Sequence, residues 1–315
     1  MAILSVIVPV KDDETHIKRC IDSVINQSLK DIEVLIIDDG SKDNTASLVK
    51  EHFAENTNVS LFRHMVNMGT GQARNTGIRY SHSKYIAFLD SDDWIDTNAY
   101  INMINTLETT NADIAVCGIM TEYSSPLLSS VRYSYTYGNH INADFALKLL
   151  SRNEKQDSYI SPLVGNKVFR KTLLTQNNLL FPQRCNFEDD EFMFKALIYA
   201  TTIALVPSSY LHYYQREGSV MHTFSRGNID DFISAFKELR SFLEEEQKWS
   251  IKTSEYYAFF DKCIASLLNS LFVSEQRVDT QREYITYLME RILDIFSIKE
   301  LLSFIEPCRL ARLWN

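Results

Sequence analysis

Between Ile3 and Leu107 the chain passes four times from a short apolar run into a segment of helical spacing. Ile3–Val10 is almost wholly apolar and β-branched, and Ile17, Cys20, Ile21, Val24 and Ile25 then recur on one helix face. Glu33–Ile37 is the second run. It stops at Asp38-Asp39-Gly40-Ser41, after which Asn44 or Thr45 would cap a helix carrying Ala46, Val49 and Phe53. Val59–Phe62 is the third, followed by a glycine-punctuated loop, Asn67–Gly77, that opens into a helix. Tyr85–Leu89 is the fourth, followed by Asp90-Ser91-Asp92-Asp93 and a helix marked by Tyr100, Met103, Ile104 and Leu107. Strands linked by helical crossovers run parallel, so the expected fold class is α/β: a Rossmann-like, mostly parallel sheet flanked by helices. Such sheets bind ligands outside the carboxyl ends of their strands.

Further along, Asp113–Gly118 reads as a strand, Thr121–Tyr137 as an antiparallel hairpin and 142–151 as a helix. Asn166–Phe181 and Phe187–Tyr199 read as helical, and Thr202–Val206 as a strand. From Asn228 the texture changes. Ile229, Phe232, Ile233, Phe236, Leu239 and Leu243 keep helical spacing, Phe260 to Leu271 do so again, and Tyr284, Leu288 and Ile295 mark a third helix. No proline interrupts the stretch between Pro207 and Pro307, which suits long helices and predicts an all-helical C-terminal extension.

A net charge of −9, from 32 Lys and Arg against 41 Asp and Glu, argues against a nucleic-acid partner. The five cysteines are odd in number and contain no Cys-x-x-Cys pair, the pattern of reduced thiols in a cytoplasmic protein. Ile3–Val10 lacks a basic flank and runs into Lys11-Asp12-Asp13-Glu14, so it is expected to be a strand rather than a signal peptide. No stretch reaches the roughly 20 apolar residues that cross a bilayer, leaving at most peripheral contact with the inner face of a membrane.

Two acid clusters carry the chemistry. Three carboxylates in the four positions 90–93 repel one another unless a cation or solvent relieves them. They are either a site for Mg²⁺ or Mn²⁺ bridging phosphates, or a solvated turn capping the helix that begins near Thr97. Glu188-Asp189-Asp190-Glu191 opens a helix, where the macrodipole favours acids.

An ordered series of motifs joins these elements: Ser5–Val10 with Glu14; Ile36-Ile37-Asp38-Asp39-Gly40-Ser41 with Asp43; Asn67-x-Gly69 with Ala73-Arg74-Asn75-x-Gly77; Phe88–Asp93; Asn166-Lys167; and Glu188-Asp189. In that order they resemble the inverting glycosyltransferases of family 2, which have the GT-A fold. The resemblance covers about residues 3–225 and implies a catalytic domain over 1–225, with a nucleotide-sugar half 1–118 and an acceptor half 119–225, followed by a helical region 226–315.

Carried onto this chain, it places Pro9 and Val10 against the nucleotide base, Asp39 on the uracil N3–H, Arg74 near the nucleotide and Asp90 at the ribose hydroxyls. Asp92 would hold a Mn²⁺ or Mg²⁺ ion bridging the two phosphates, with Asp93 in support. Asp189 would be the general base, with Asp190 a rival for that role and Glu188 placing the acceptor or the base. Leu211–Met221 resembles a flexible segment that closes over the donor, with Arg216 on the pyrophosphate and His212 or His222 completing the metal shell. Lys11 departs from the pattern, because that position is usually an aromatic stacked on the base. Trp94 and the tyrosines of 123–137 would form an aromatic platform for an acceptor sugar.

The expected activity is metal-dependent, inverting transfer of a hexose or N-acetylhexosamine from a UDP-sugar to a hydroxyl of a glycan, lipid-linked, cell-wall or glycoprotein acceptor. A nucleotidyltransferase would show a basic, glycine-rich loop after the first strand, where Lys11–Glu14 stands instead. A non-catalytic nucleotide-sugar-binding scaffold is the other alternative, and turnover separates it. The C-terminal helices are expected to form a homodimer, to pack against the catalytic domain or to lie on a membrane.

Overall fold

Strands form where apolar residues run with no polar break, and the first such run is the axis of the sheet. The computed structural model describes residues 2–123, 129–135, 139–152, 159–184, 186–215, 224–274 and 277–304. In chain order, β1 (Leu4–Val10), α1 (Ile17–Ile25), β2 (Ile32–Asp38), α2 (Thr45–His52), β3 (Val59–Arg63), α3 (Thr70–Tyr80) and β4 (Tyr85–Phe88) make the expected parallel core. β1 pairs in parallel with both β2 and β4, and β2 with β3. β1 and β4 are buried throughout, as strands covered on both faces must be.

Helix α3 presses onto this sheet at a glycine. A Cβ at Gly77 would stand 2.3 Å from Ile7 Cγ2, so only a bare Cα permits the approach. Gly69, which caps the same helix, has φ +91°, a conformation side chains rarely adopt.

Past β4 come β5 (Trp94–Ile95), α4 (Ala99–Thr110), β6 (Ile114–Glu122), β7 (Ser130–Tyr133), β8 (His140–Asn142) and α5 (Ala143–Leu150). The antiparallel pairing expected within Thr121–Tyr137 is instead between β7 and the end of β6, at Ile119, Met120 and Thr121. Asn166–Phe181, read from sequence as helical, is not one helix. A single 3₁₀ turn, Val164–Asn166, leads into strand β9 (Lys167–Arg170), and only Lys171–Gln176 is helix, α6. β9 enters the sheet antiparallel to both β4 and β6, with Val168 and Phe169 fully buried, and pairing on both edges outweighs the helical spacing of the leucines beyond it.

After α7 (Glu188–Tyr199), β10 runs from Thr202 to Tyr214, well beyond the expected Val206. Its register against β6 slips around Pro207, which has no N–H to give the ladder. The sheet order is β3-β2-β1-β4-β9-β6-β10-β5, a mixed sheet with a parallel core, flanked by helices.

The chain divides into two compact units: Met1–Ala146 with Ser161–Arg216, and Leu147–Ile160 with Glu217–Asn315. The second is helical, with α8 (Arg226–Glu245), α9 (Trp249–Val273), α10 (Val278–Ile292) and α11 (Ile298–Phe304). α8 opens with a capping box between Ser225 and Asn228 and buries the apolar stripe read from sequence. Phe232, Phe236 and Phe260 pack ring against ring, and the Tyr256 hydroxyl donates to the Phe236 carbonyl. Among the described residues no helix is long and apolar enough to cross a membrane.

Candidate active site

Asp90 follows β4 and Glu188 and Asp189 open α7, and α3 supplies the cation between these acids. Arg74 is 2% exposed. Its guanidinium donates to Asp90 Oδ1 at 2.8 Å and to Asp189 Oδ1 at 2.6 Å, and stands 3.8 Å from Glu188 Oε1. It also lies over the Phe181 ring, 5.1 Å from the centroid. Neighbouring Asn75 holds the backbone that carries that ring. Its side-chain amide donates to the Phe181 carbonyl and its oxygen accepts from the Phe181 N–H, both at 2.8 Å. The Ala73-Arg74-Asn75 motif thus aims one residue at the acids and braces the surface beneath it.

Asp189 and Glu188 stand in the first turn of α7, which Phe187 opens at φ +61°. Their side chains are 15% and 17% exposed. Asp189 Oδ2 accepts from the Val164 N–H at 3.4 Å. Burial raises the Asp189 carboxyl to about 6, with Arg74 opposing the rise. Burial and the charge of Asp189 raise Glu188 to about 8. Burial works against the charge on Arg74 too, yet Asp189, Asp90 and Glu188 together hold its pKa above the usual value. Glu191, the fourth acid, is taken up by Lys195 at 2.5 Å and Arg184 at 2.9 Å.

Each of the other expected site residues has a definite place. Pro9 and Val10 end β1 and are buried. Asp39 is 3% exposed, with Oδ1 receiving the Met68 N–H and His64 Nδ1, both at 2.8 Å, and Oδ2 receiving the Gly69 N–H at 2.7 Å. A carboxylate offers about four acceptor positions, so Asp39 anchors the glycine loop and keeps about one for a ligand. Asp92 is half-buried after β4, and its carbonyl accepts from Arg19 at 2.7 Å. Asp93 is turned inward and accepts from the Tyr214 N–H at 2.9 Å; burial, Asp90 and Asp92 push its carboxyl well above the usual range.

Two expectations need correcting. His212 lies within β10, not in a mobile segment, and its Nδ1 meets Glu122 at 2.7 Å while its Nε2 meets Asp96 at 3.1 Å. Both ring nitrogens are thus taken up by carboxylates. Trp94 is not an open platform either: Arg19 lies 3.8 Å from its ring centroid and His212 stacks on it at 5.0 Å. Arg216 and His222 lie outside the described residues.

The family model for glycosyl transferase family 2 matches residues 5–173, over half of the 315-residue chain. The chain belongs to that family. EpsH of Bacillus subtilis is 27% identical over 256 residues, which cover 78% of this family 2 chain and 70% of EpsH. A poly(ribitol-phosphate) beta-glucosyltransferase of Bacillus spizizenii is 30% identical over 258 residues, 78% of this chain but 38% of that protein. The crystal structure of S. aureus TarS 1–349 in complex with UDP-GlcNAc matches with a TM-score of 0.76 at 20% identity, covering 97% of this chain and 84% of that one. This likeness is one of fold, and the fold is GT-A.

Four residues of this family 2 site were not singled out from sequence. His64 spans Asp39 and Thr76 Oγ1. Asp13 receives Ser91 Oγ at 2.6 Å, tying the turn after β1 to the acid cluster. Arg19 holds the turn at Asp92, and Asn75 holds Phe181. Only Asn75 had a signal, its place beside Arg74 in the motif series.

Proposed function

We propose that this chain transfers a hexose or N-acetylhexosamine from a UDP-sugar to a hydroxyl of a glycan, lipid-linked, cell-wall or glycoprotein acceptor, inverting the anomeric carbon. The observation that carries the proposal is the Arg74 guanidinium, which joins Asp189 to Asp90 and so brings a candidate base beside a candidate donor contact. The donor class is supported by the fold-mate TarS, which was crystallised with UDP-GlcNAc, and by the relative that is a glucosyltransferase.

Burial raises the carboxyls of both Glu188 and Asp189 above the usual range, and the two titrate as a pair. Asp189, near 6, is largely ionised at neutral pH and takes the proton of the acceptor hydroxyl. Glu188, whose carboxyl burial and the charge of Asp189 also raise, places the acceptor or the base. As the O–H proton passes to Asp189, the acceptor oxygen bonds to the anomeric carbon from the face opposite the nucleotide. The bond from that carbon to the phosphate oxygen breaks, and its electron pair leaves with UDP.

The donor set suits a hard divalent ion. By its place in the motif series Asp92, half-buried in the turn after β4, would be the ligand, while Asp90 pairs with Arg74 and Asp93 accepts a backbone N–H. Among the described residues no three His, Cys, Asp or Glu side chains converge into a cage, so diphosphate oxygens and water would fill the other positions. When bound, Mn²⁺ or Mg²⁺ would neutralise charge on the departing diphosphate.

A screen of UDP-sugars with and without Mn²⁺, read as UDP release, tests the scheme. Turnover that disappears in Asp189→Asn supports it. Full activity in that variant would move the base elsewhere, and binding without turnover would favour a scaffold.

A further inference from the structure

Asn166 and Lys167 belong to the ordered motif series, yet the transfer scheme uses neither. Lys167 opens β9 in the middle of the sheet and is 1% exposed. Its ammonium donates to the carbonyls of Ser161 at 2.7 Å and Leu163 at 2.6 Å, and to Asn166 Oδ1 at 2.6 Å. Asn166 in turn donates through Nδ2 to the Cys117 carbonyl of β6 at 2.5 Å. The segment 161–166 is thereby closed around one ammonium and fastened to the sheet. From that closed turn the Val164 N–H reaches Asp189 Oδ2, while Arg74 holds Oδ1.

We propose that Lys167, together with Asn166, is a positioning residue for Asp189, closing the 161–166 turn so that the Val164 N–H fixes the plane of the carboxylate. This rests on Asp189 being the base. It is not a structural statement alone, because the clamp depends on charge. Three acceptors need three N–H donors, which an ammonium has and a neutral amine lacks. All three partners are uncharged, and burial brings Lys167 down to about 7 against the pull of Asp189 on α7 and Cys117 on β6. The charged groups acting on Asp189 itself are Arg74 from α3, Asp90 after β4, Asp190 and Glu188 on its own helix, and the Lys167 ammonium. Above neutral pH the turn therefore loses one of its bonds, and turnover falls on the alkaline side, together with any change from titration of the Glu188–Asp189 pair.

The test is kcat and donor KM from pH 5 to 9 for the wild-type protein, Lys167→Met, Lys167→Arg and Asp189→Asn, with UDP-GlcNAc and UDP-glucose as donor probes and UDP release as the readout. A carboxylate displaced by a fraction of an ångström costs about tenfold to a hundredfold in kcat. Lys167→Met should show that loss with donor KM unchanged. Lys167→Arg, which keeps its charge, should carry the alkaline limb upward. An inactive Asp189→Asn beside a Lys167→Met with wild-type kcat and pH profile overturns the positioning role alone. An active Asp189→Asn overturns the base and this proposal with it. Should Lys167→Met fail to fold by urea titration, Asn166→Ser takes its place. A lowered kcat at unchanged KM supports the proposal, and a wild-type kcat overturns it.

Discussion

Replacing Arg74 by methionine removes one cation from among three carboxylates, and the distances around it set the size of the effect. The guanidinium is within 2.8 Å of both Asp189 and Asp90 and is nearly sealed from solvent. An opposite charge at such range shifts a carboxyl by about 1–3 units. Asp189, near 6 with Arg74 present, should therefore titrate at about 7–9 without it. At pH 7 the ionised fraction falls from about nine-tenths to between one half and one hundredth, and kcat falls with it if Asp189 is the base. The loss should be recovered in part by raising the pH, which distinguishes a shifted base from a misplaced one. Breaking a buried ion pair also costs about 3–5 kcal/mol of stability, so urea unfolding must be measured first and kinetics kept where the variant is folded. Arg74→Lys keeps a charge but not a fork that reaches both acids, so its acid limb should stay near wild type while kcat drops. Because Glu188 titrates with Asp189, the acid limb belongs to the set rather than to one group. The reasoning is refuted if the acid limb of a folded Arg74→Met stays where it is in the wild-type protein.

Other perturbations have equally definite expectations. Burial and the charge of Asp189 hold the Glu188 carboxyl above its ordinary value of 4.5, so its contribution to stability is complete below about 4.5 and is lost as pH rises through the raised range. Urea unfolding at a series of pH values should show a shallower decline over that window in Glu188→Gln. Asp92→Asn should abolish stimulation by Mn²⁺, whereas His212→Ala, whose ring already serves Glu122 and Asp96, should leave the Mn²⁺ titration midpoint unchanged. Gly77→Ala drives a Cβ to 2.3 Å from Ile7 and should cost about 1–3 kcal/mol in urea unfolding, as over-packing does; a neutral effect would mean that α3 moves aside.

The parallel core was legible because each strand announced itself by β-branched runs and each crossover by a helical stripe. β9 was not, since four residues carry too little pattern to outvote the leucines beside them, and only its two sheet neighbours make Lys167–Arg170 a strand. His212 was misread for a related reason. Leu211–Tyr214 resembles a mobile segment in sequence, but antiparallel pairing with Trp94–Ile95 sets it in the sheet and turns the ring to Glu122 and Asp96. Asp39 shows the same gap at a single side chain. Its position after β2 was evident, whereas the loop amides that occupy it come from residues 29 and 30 positions away.

Arg74 marks the deepest of these gaps, because spacing names the acids but not which of them share a cation. It reaches 16 residues forward to Asp90 and 115 forward to Asp189, so a change at one acid must be felt at the other. Asp90→Asn makes that coupling measurable with a sign opposite to Arg74→Met. The substitution removes a negative charge that raises Asp189, and it leaves more of the guanidinium to pair with Asp189. Both effects lower the Asp189 carboxyl, so at saturating donor the acid limb should move below about 6 even if donor KM worsens through loss of the ribose contact proposed for Asp90. If both variants move the limb the same way, Arg74 is not what links the two ends of the site.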